Sequence, residues 1–298
     1  DMLELSRSNA PKVAEALGFE NVEFRRGRIQ DLALDLDLVE SWLKTHPVHN
    51  ALSLSALEDF TDQARRTHTL IPDNSVDIVV SNCVLNLVRE QDKPQLIQEI
   101  HRVLKPGGRI ALSDIVSDEV VPEALRADPT LWSGCISGAF QEKELLSELE
   151  EAGFLGIALD KWESEPWQTV EGIEFRSVTV TAVKGEARPC LEANQAVIYK
   201  GPWKWVEDDD GHVLRRGERV AVCDKTFDRL TGEPYGEFII GIEPRVTVPP
   251  EQRELFDCQR SETRSPRESK GSDYAATTEA AEDCCGAAVP NPSGESCC

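Results

Sequence analysis

"KPQLIQEIHRVLKPGGRIALSDIV", Lys93 to Val116, decides how this chain folds. Leu96, Ile97, Ile100, Val103 and Leu104 recur at helical spacing, so the segment opens as an amphipathic helix with one apolar face. Lys105-Pro106-Gly107-Gly108 ends that helix and turns the chain. "RIALSDIV" then reads as a strand. Immediately upstream, "VDIVVSNCVLNL" (Val76 to Leu87) reads as a buried strand and its exit. The unit is therefore strand, helix, turn, strand, which implies neighbouring parallel strands with a helix across their face.

The same alternation extends in both directions. "LELSRSNAPKVAEALG" predicts a helix ending at Gly18, and "VEFRRGRI" predicts a strand. Residues 31–70 predict mainly helix, in the pieces "DLVESWLKTH" and "SLSALEDFTDQARRTH". "QEKELLSELEEAGF" is a further helix, followed by strands near "ALDKWES" and "FRSVTVTAVKG". The pattern as a whole is α/β with a mainly parallel sheet.

From about Ala187 the texture changes. "QAVIYKG", "VLRRGERVAVC" and "EFIIGIEP" are short strands around a short helix in "CDKTFDRLTGEPYG". This predicts a small α+β domain over residues 186–250, with the acidic run Glu207 to Asp210 and Gly211 as a hairpin turn. Residues 251–298 are rich in Ser, Glu, Ala, Gly and Pro, the composition of a disordered tail.

The chain of 298 residues carries a formal net charge of −22, which argues against a nucleic acid or an anionic membrane as partner. No stretch approaches the roughly 20 apolar residues of a membrane-spanning helix. Nine cysteines are present, four of them as the pairs Cys284-Cys285 and Cys297-Cys298. They form no framework across a small domain, so a reducing, cytoplasmic setting is expected.

Cys83 lies where a strand opens to solvent, and Cys135 lies in "LWSGCISGAF". A single buried cysteine is ordinarily an apolar filler, and neither belongs to a CxxC zinc motif. The motifs change that reading. "HRVLKPGGRIALSD" resembles the helix–turn–strand of class I S-adenosylmethionine methyltransferases. "SNCVLNLV" together with "LWSGCISGAF" resembles the arsenite methyltransferases, as do "FRRGRIQDL" and the "VIYKG…RRGERVAVC" region. Residues 32–70 fall outside the resemblance and read as an insertion.

The resemblance implies a Rossmann-like class I methyltransferase sheet over residues 1–185. Its glycine-rich first loop, first strand and first helix, with a further cysteine, are expected upstream of Asp1. It implies methyl transfer from S-adenosylmethionine to trivalent arsenic (arsenite or methylarsenite), held by Cys83 and Cys135. Asp1 would take the ribose hydroxyls and Met2 the adenine edge. Ile29 and Gln30 would flank the adenine, and Asn82 would hold the methionine end or the Cys83 backbone. A small thiol such as glutathione, or thioredoxin, would serve as reductant, and the chain is expected to be a monomer. Gly134 and Gly138 would let backbone approach the ligand. Two alternatives stay open at this point: a class I methyltransferase of a small organic substrate, and a non-catalytic, thiol-rich arsenic-binding protein.

Overall fold

A computed structural model describes residues 2–258, 262–271 and 275–278. The chain divides into two compact units, Asp1–Arg188 and Pro189–Cys298.

The first unit opens with three helices, α1 (Met2–Leu17), α2 (Leu36–Thr45) and α3 (Ala51–Thr67). Gly18, at φ +77°, ends α1, because only a residue without Cβ takes that conformation at no cost. Asp35 starts α2 by accepting from the Asp37 and Leu38 amides, and Asn50 starts α3 with a reciprocal capping box to Ser53. The sheet and its helices follow: β1 (Val76–Asn82), α4 (Lys93–Val103), β2 (Leu104–Ser117), α5 (Glu123–Arg126), α6 (Pro129–Ser133), β3 (Phe140–Gln141), α7 (Glu142–Glu151), β4 (Phe154–Trp162), β5 (Gln168–Val170) and β6 (Ile173–Lys184).

Strand order is β1-β2-β6-β4, with β3 beside β2 and β5 beside β6. The β1/β2 and β2/β3 pairs are parallel. The three pairs made by β6 are all antiparallel. The sheet is thus mixed, where the alternation of helix and strand predicts mainly parallel pairing. The reason is local: β4, β5 and β6 follow one another without an intervening helix, and strands joined without a crossover pair antiparallel. The α4 face predicted from sequence is the core. Leu96, Ile97 and Ile100 are buried against Ile110 and Leu112 of β2, Leu145 and Leu149 of α7, and Val178 and Val180 of β6.

Two sequence expectations change. "VEFRRGRI" forms no strand; only an isolated bridge joins Arg28 to Asp31. Its Arg26 carbonyl accepts from Leu36 at the start of α2, so this backbone is spent on a helix entry. The strand β1 is not buried on both faces: Ile78 and Val80 are 63% and 73% exposed. Among the described residues β1 has one ladder partner, β2, so its far edge and part of its face stay uncovered.

The second unit contains β7 (Ala196–Tyr199), β8 (Trp205–Glu207), β9 (Val213–Arg215), β10 (Arg219–Ala221), α8 (Asp224–Thr231), β11 (Ile239–Ile242) and α9 (Pro266–Lys270). The strands form a three-stranded sheet, β10-β7-β11, and a β8/β9 hairpin. The acidic run is the hairpin turn. Asp208 is taken up by His212 and Arg229, Asp210 by Arg229, and Asp209 accepts from the Tyr235 hydroxyl. Residues 262–271 continue this unit: the Ala221 amide donates to the Glu262 carbonyl, and Arg264 is buried against Glu192. The tail pairs Cys284-Cys285 and Cys297-Cys298 lie outside the described residues. Among the described residues no helix is long and apolar enough to cross a membrane.

Candidate functional site

The carboxyl ends of parallel strands are where open α/β sheets gather ligands, because helix and loop starts converge there. Cys83 stands at that end of β1, with its amide donating to the Ser113 carbonyl of β2 at 2.9 Å. Its φ is +54°, a left-handed backbone that a residue with a Cβ adopts only when its surroundings impose it. Asp114, a buried carboxylate, lies against this turn. It accepts from the Leu85 and Ile115 amides at 2.9 Å each. The Leu85 amide, two residues beyond Cys83, is thereby tied to this carboxylate. Burial pushes the Asp114 carboxyl up, and those donors pull it back down. The Cys83 thiol is exposed and donates to Asn82 Oδ1 at 3.2 Å.

Cys135 follows α6 and also has a left-handed backbone, at φ +62°. Its amide donates to the Trp132 carbonyl at 3.1 Å. Its side chain is half-buried against the apolar cluster of Ile115, Leu125, Ile136 and Phe175. Burial raises its pKa first; the Asp114 carboxylate and the Cys83 thiol then raise it further. Asp114 and both thiols therefore share one electrostatic neighbourhood.

Asn86 brings the two loops together. It is fully buried, and its Nδ2 donates to the Ile115 carbonyl at 2.7 Å and to the Cys135 carbonyl at 3.2 Å. On the other side a Cβ at Gly138 would fall 2.0 Å from the Asn86 carbonyl oxygen, so only glycine permits that approach. Gly138 thus meets Asn86 backbone, where sequence predicts an approach to the ligand. Gly134 caps α6, and a Cβ there would meet only ordinary contacts, the nearest at 3.5 Å.

The residues predicted for the cofactor are placed as follows. Asp1 lies outside the described residues. Met2 is the first residue of α1 and is 76% exposed. Ile29 packs at the margin of the main core, and Gln30 sits in the turn beside it. Asn82 stands at the β1 exit and accepts from Cys83. Asn86 and Asp114, which sequence reasoning misses, do most of the positioning. The available signal was a polar residue isolated among leucines in "CVLNLV".

A methyltransferase-domain family model matches residues 48–153. A model for a domain of unknown function, DUF8838, matches residues 186–274. The arsenite methyltransferase of Aquipseudomonas alcaligenes is 28% identical over 256 residues, 80% of this chain and 63% of that protein. Those of Mus musculus and Homo sapiens are each 33% identical, over 52% and 56% of this chain and 43% and 46% of theirs.

The chain is similar to arsenite methyltransferases over most of its length.

It spans less than two thirds of the length of these curated relatives. A crystal structure of an arsenic(III) S-adenosylmethionine methyltransferase from Chlamydomonas reinhardtii aligns over 86% of this chain and 77% of that one, at 23% identity and a TM-score of 0.48. The matching methyltransferase-domain model takes in both cysteine loops, those of Cys83 and Cys135.

Proposed function

We propose that this protein methylates trivalent arsenic, arsenite and methylarsenite, with S-adenosylmethionine as methyl donor and in arsenic detoxification. The observation that carries the reading is the pair of thiols, each on left-handed backbone, in two loops that Asn86 joins. Trivalent arsenic is soft, and thiolate is the ligand that softness selects. Cys83 and Cys135 supply two sulfurs, and a third comes from a small thiol or another cysteine. Sulfur-bound arsenic is pyramidal and keeps a lone pair on its open side, so transfer needs no general base. The protein's work is to orient that lone pair and exclude water.

The residues at the β1 exit fit a bound cofactor. Ser81 Oγ is buried there with no partner of its own, one residue before Asn82 at the carboxyl end of a parallel strand. When bound, S-adenosylmethionine supplies the methyl group on a positively charged sulfonium. Asn82 would hold its methionine end, and Met2, Ile29 and Gln30, together with Asp1, would take the ribose and adenine. Glutathione or thioredoxin serves as reductant between transfers, in the cytoplasm.

The test replaces Cys83 and Cys135 singly with Ser and follows methylated arsenic by chromatography with elemental mass detection. Each variant should lose about 100-fold or more in methylation, while calorimetry shows S-adenosylmethionine still bound. Full methylation by both variants overturns the reading. Methylation of an organic thiol with arsenite untouched would place the chain nearer the rat thiol S-methyltransferase, which is 32% identical over 102 residues.

A further inference from the structure

A second group of thiols lies in the second unit, apart from Cys83 and Cys135 in sequence and in fold. The sulfurs of Cys190, Cys223 and Cys258 all lie within 4.8 Å of one another. They come from three separate segments that backbone hydrogen bonds hold in register. The Phe256 amide donates to the Cys190 carbonyl at 2.9 Å, the Glu192 amide to Glu254 at 2.8 Å, and the Asp224 amide to Leu191 at 2.9 Å. One buried cysteine is an apolar filler. Three, converging from three segments, are a donor set.

Cys223 is the prepared member. It is fully buried at the N-cap of α8, and its sulfur accepts from the Thr226 amide at 3.3 Å and lies 3.2 Å from the Thr226 hydroxyl. The helix amino end and these donors favour the thiolate. They hold the Cys223 pKa down against its burial, with help from the other two thiols. The adjacent carboxylate is already engaged: Asp224 accepts from the Leu191 and Lys225 amides and from Arg253 at 3.1 Å. Among the described residues no histidine or carboxylate joins the three sulfurs.

That donor count selects the ion. Structural zinc takes four protein ligands in a tetrahedron. Trivalent arsenic closes its coordination with three sulfurs, its lone pair taking the fourth direction. We propose that Cys190, Cys223 and Cys258 form a three-thiol site that binds trivalent arsenic in the second unit. Binding is a condensation. Three As–O bonds of arsenous acid break and three As–S bonds form. The three thiol protons leave with the hydroxides as three waters, and arsenic stays trivalent throughout. The site owes nothing to Cys83 or Cys135, and its test removes both.

The experiment uses the full chain with Cys83, Cys135, Cys284, Cys285, Cys297 and Cys298 all replaced by Ser, which leaves only these three thiols. Under a phosphine reductant, equilibrium dialysis against arsenite alone should give one arsenic per chain. X-ray absorption should show a shell of three sulfurs and no oxygen. Adding Cys223→Ser should weaken binding about tenfold or more. If that buried substitution unfolds the unit by circular dichroism, Cys190→Ser and Cys258→Ser, at half-buried positions, make the same test. Three outcomes would overturn the proposal: less than half an arsenic per chain, undiminished binding in the folded single-serine variants, or zinc bound so that excess arsenite does not displace it.

Discussion

Asn86 Nδ2 lies 3.2 Å from the Cys135 carbonyl oxygen, and Asn86 stands three residues after Cys83. One buried amide therefore ties the Cys135 loop to the turn that follows Cys83, two segments far apart in the chain. With Gly138 pressed against the Asn86 backbone, the two loops behave as one piece. Replacing Asn86 with Leu removes both donated bonds and leaves the Ile115 and Cys135 carbonyls without this partner. The expected loss is about 2 kcal/mol of stability. Arsenite affinity should fall more than for any variant of equal stability elsewhere. Chemical denaturation and arsenite titration, done side by side, separate the two effects.

Gly138→Ala makes the complementary test. The added methyl would meet the Asn86 carbonyl at 2.0 Å, so one loop must move. The variant should fold with its thiols misaligned, losing the arsenite bound at Cys83 and Cys135 while the second-unit thiols and the α4 core stay intact. Retained affinity with unchanged kinetics would show that the clasp does not set the thiol spacing.

The two thiols should differ in reactivity. Cys83 is exposed, whereas burial, Asp114 and Cys83 itself push the Cys135 thiol up. Alkylation near pH 8 should therefore label Cys83 well before Cys135, since thiolate is the nucleophile. Asp114→Asn removes one cause of the raised value, so Cys135 should label faster in that variant. Mass spectrometry of timed digests reads both rates. Equal rates in the native chain would count against the arrangement.

Much of this was legible in the chain. The α4 stripe from Leu96 to Leu104 announces its own burial because period and hydrophobicity agree over three turns. The two cysteine motifs carried the family resemblance locally. What failed depends on partners distant in sequence. "VEFRRGRI" has strand-like residues, but its backbone is claimed by the entry to α2. Ile78 and Val80 look like core residues and stand exposed because, among the described residues, β1 has a single strand neighbour. Cys190, Cys223 and Cys258 share no spacing motif; only the tertiary fold brings them together.

Lys184, at the end of β6, tests how the sheet is tied to α4. Its Nζ donates to the His101 carbonyl at 2.7 Å, the Leu104 carbonyl at 2.8 Å and Asn74 Oδ1 at 2.9 Å. It thereby meets carbonyls that the helix end leaves without intrahelical donors. Lys184→Met keeps the stem and removes the charge, and should cost about 1–2 kcal/mol. Hydrogen exchange should quicken first in the last turn of α4. Exchange that quickens uniformly instead would mean that Lys184 acts on global stability alone.

Acid should loosen the second unit through Asp208. Its side chain is 3% exposed and lies 2.9 Å from both His212 Nδ1 and Arg229. Burial alone would raise its pKa; the His212 hydrogen bonds and charge, with Arg229, outweigh that and hold it below the ordinary 3.8. A carboxyl with a depressed folded pKa stabilises the fold fully above its unfolded value. That contribution is lost as pH falls below 3.8 toward the folded pKa, because the unfolded chain then takes up the proton first. Asp208→Asn leaves Arg229, among the described residues, with Asp210 as its ion partner and should cost about 3 kcal/mol at neutral pH, as expected when one partner of a buried pair is removed. The variant should also lose much of the native chain's extra sensitivity below pH 3.8. Thermal unfolding from pH 2.5 to 7, read on a tryptophan of the hairpin such as Trp205, measures both. If the native and variant curves stay parallel across that range, Asp208 is not the group that titrates.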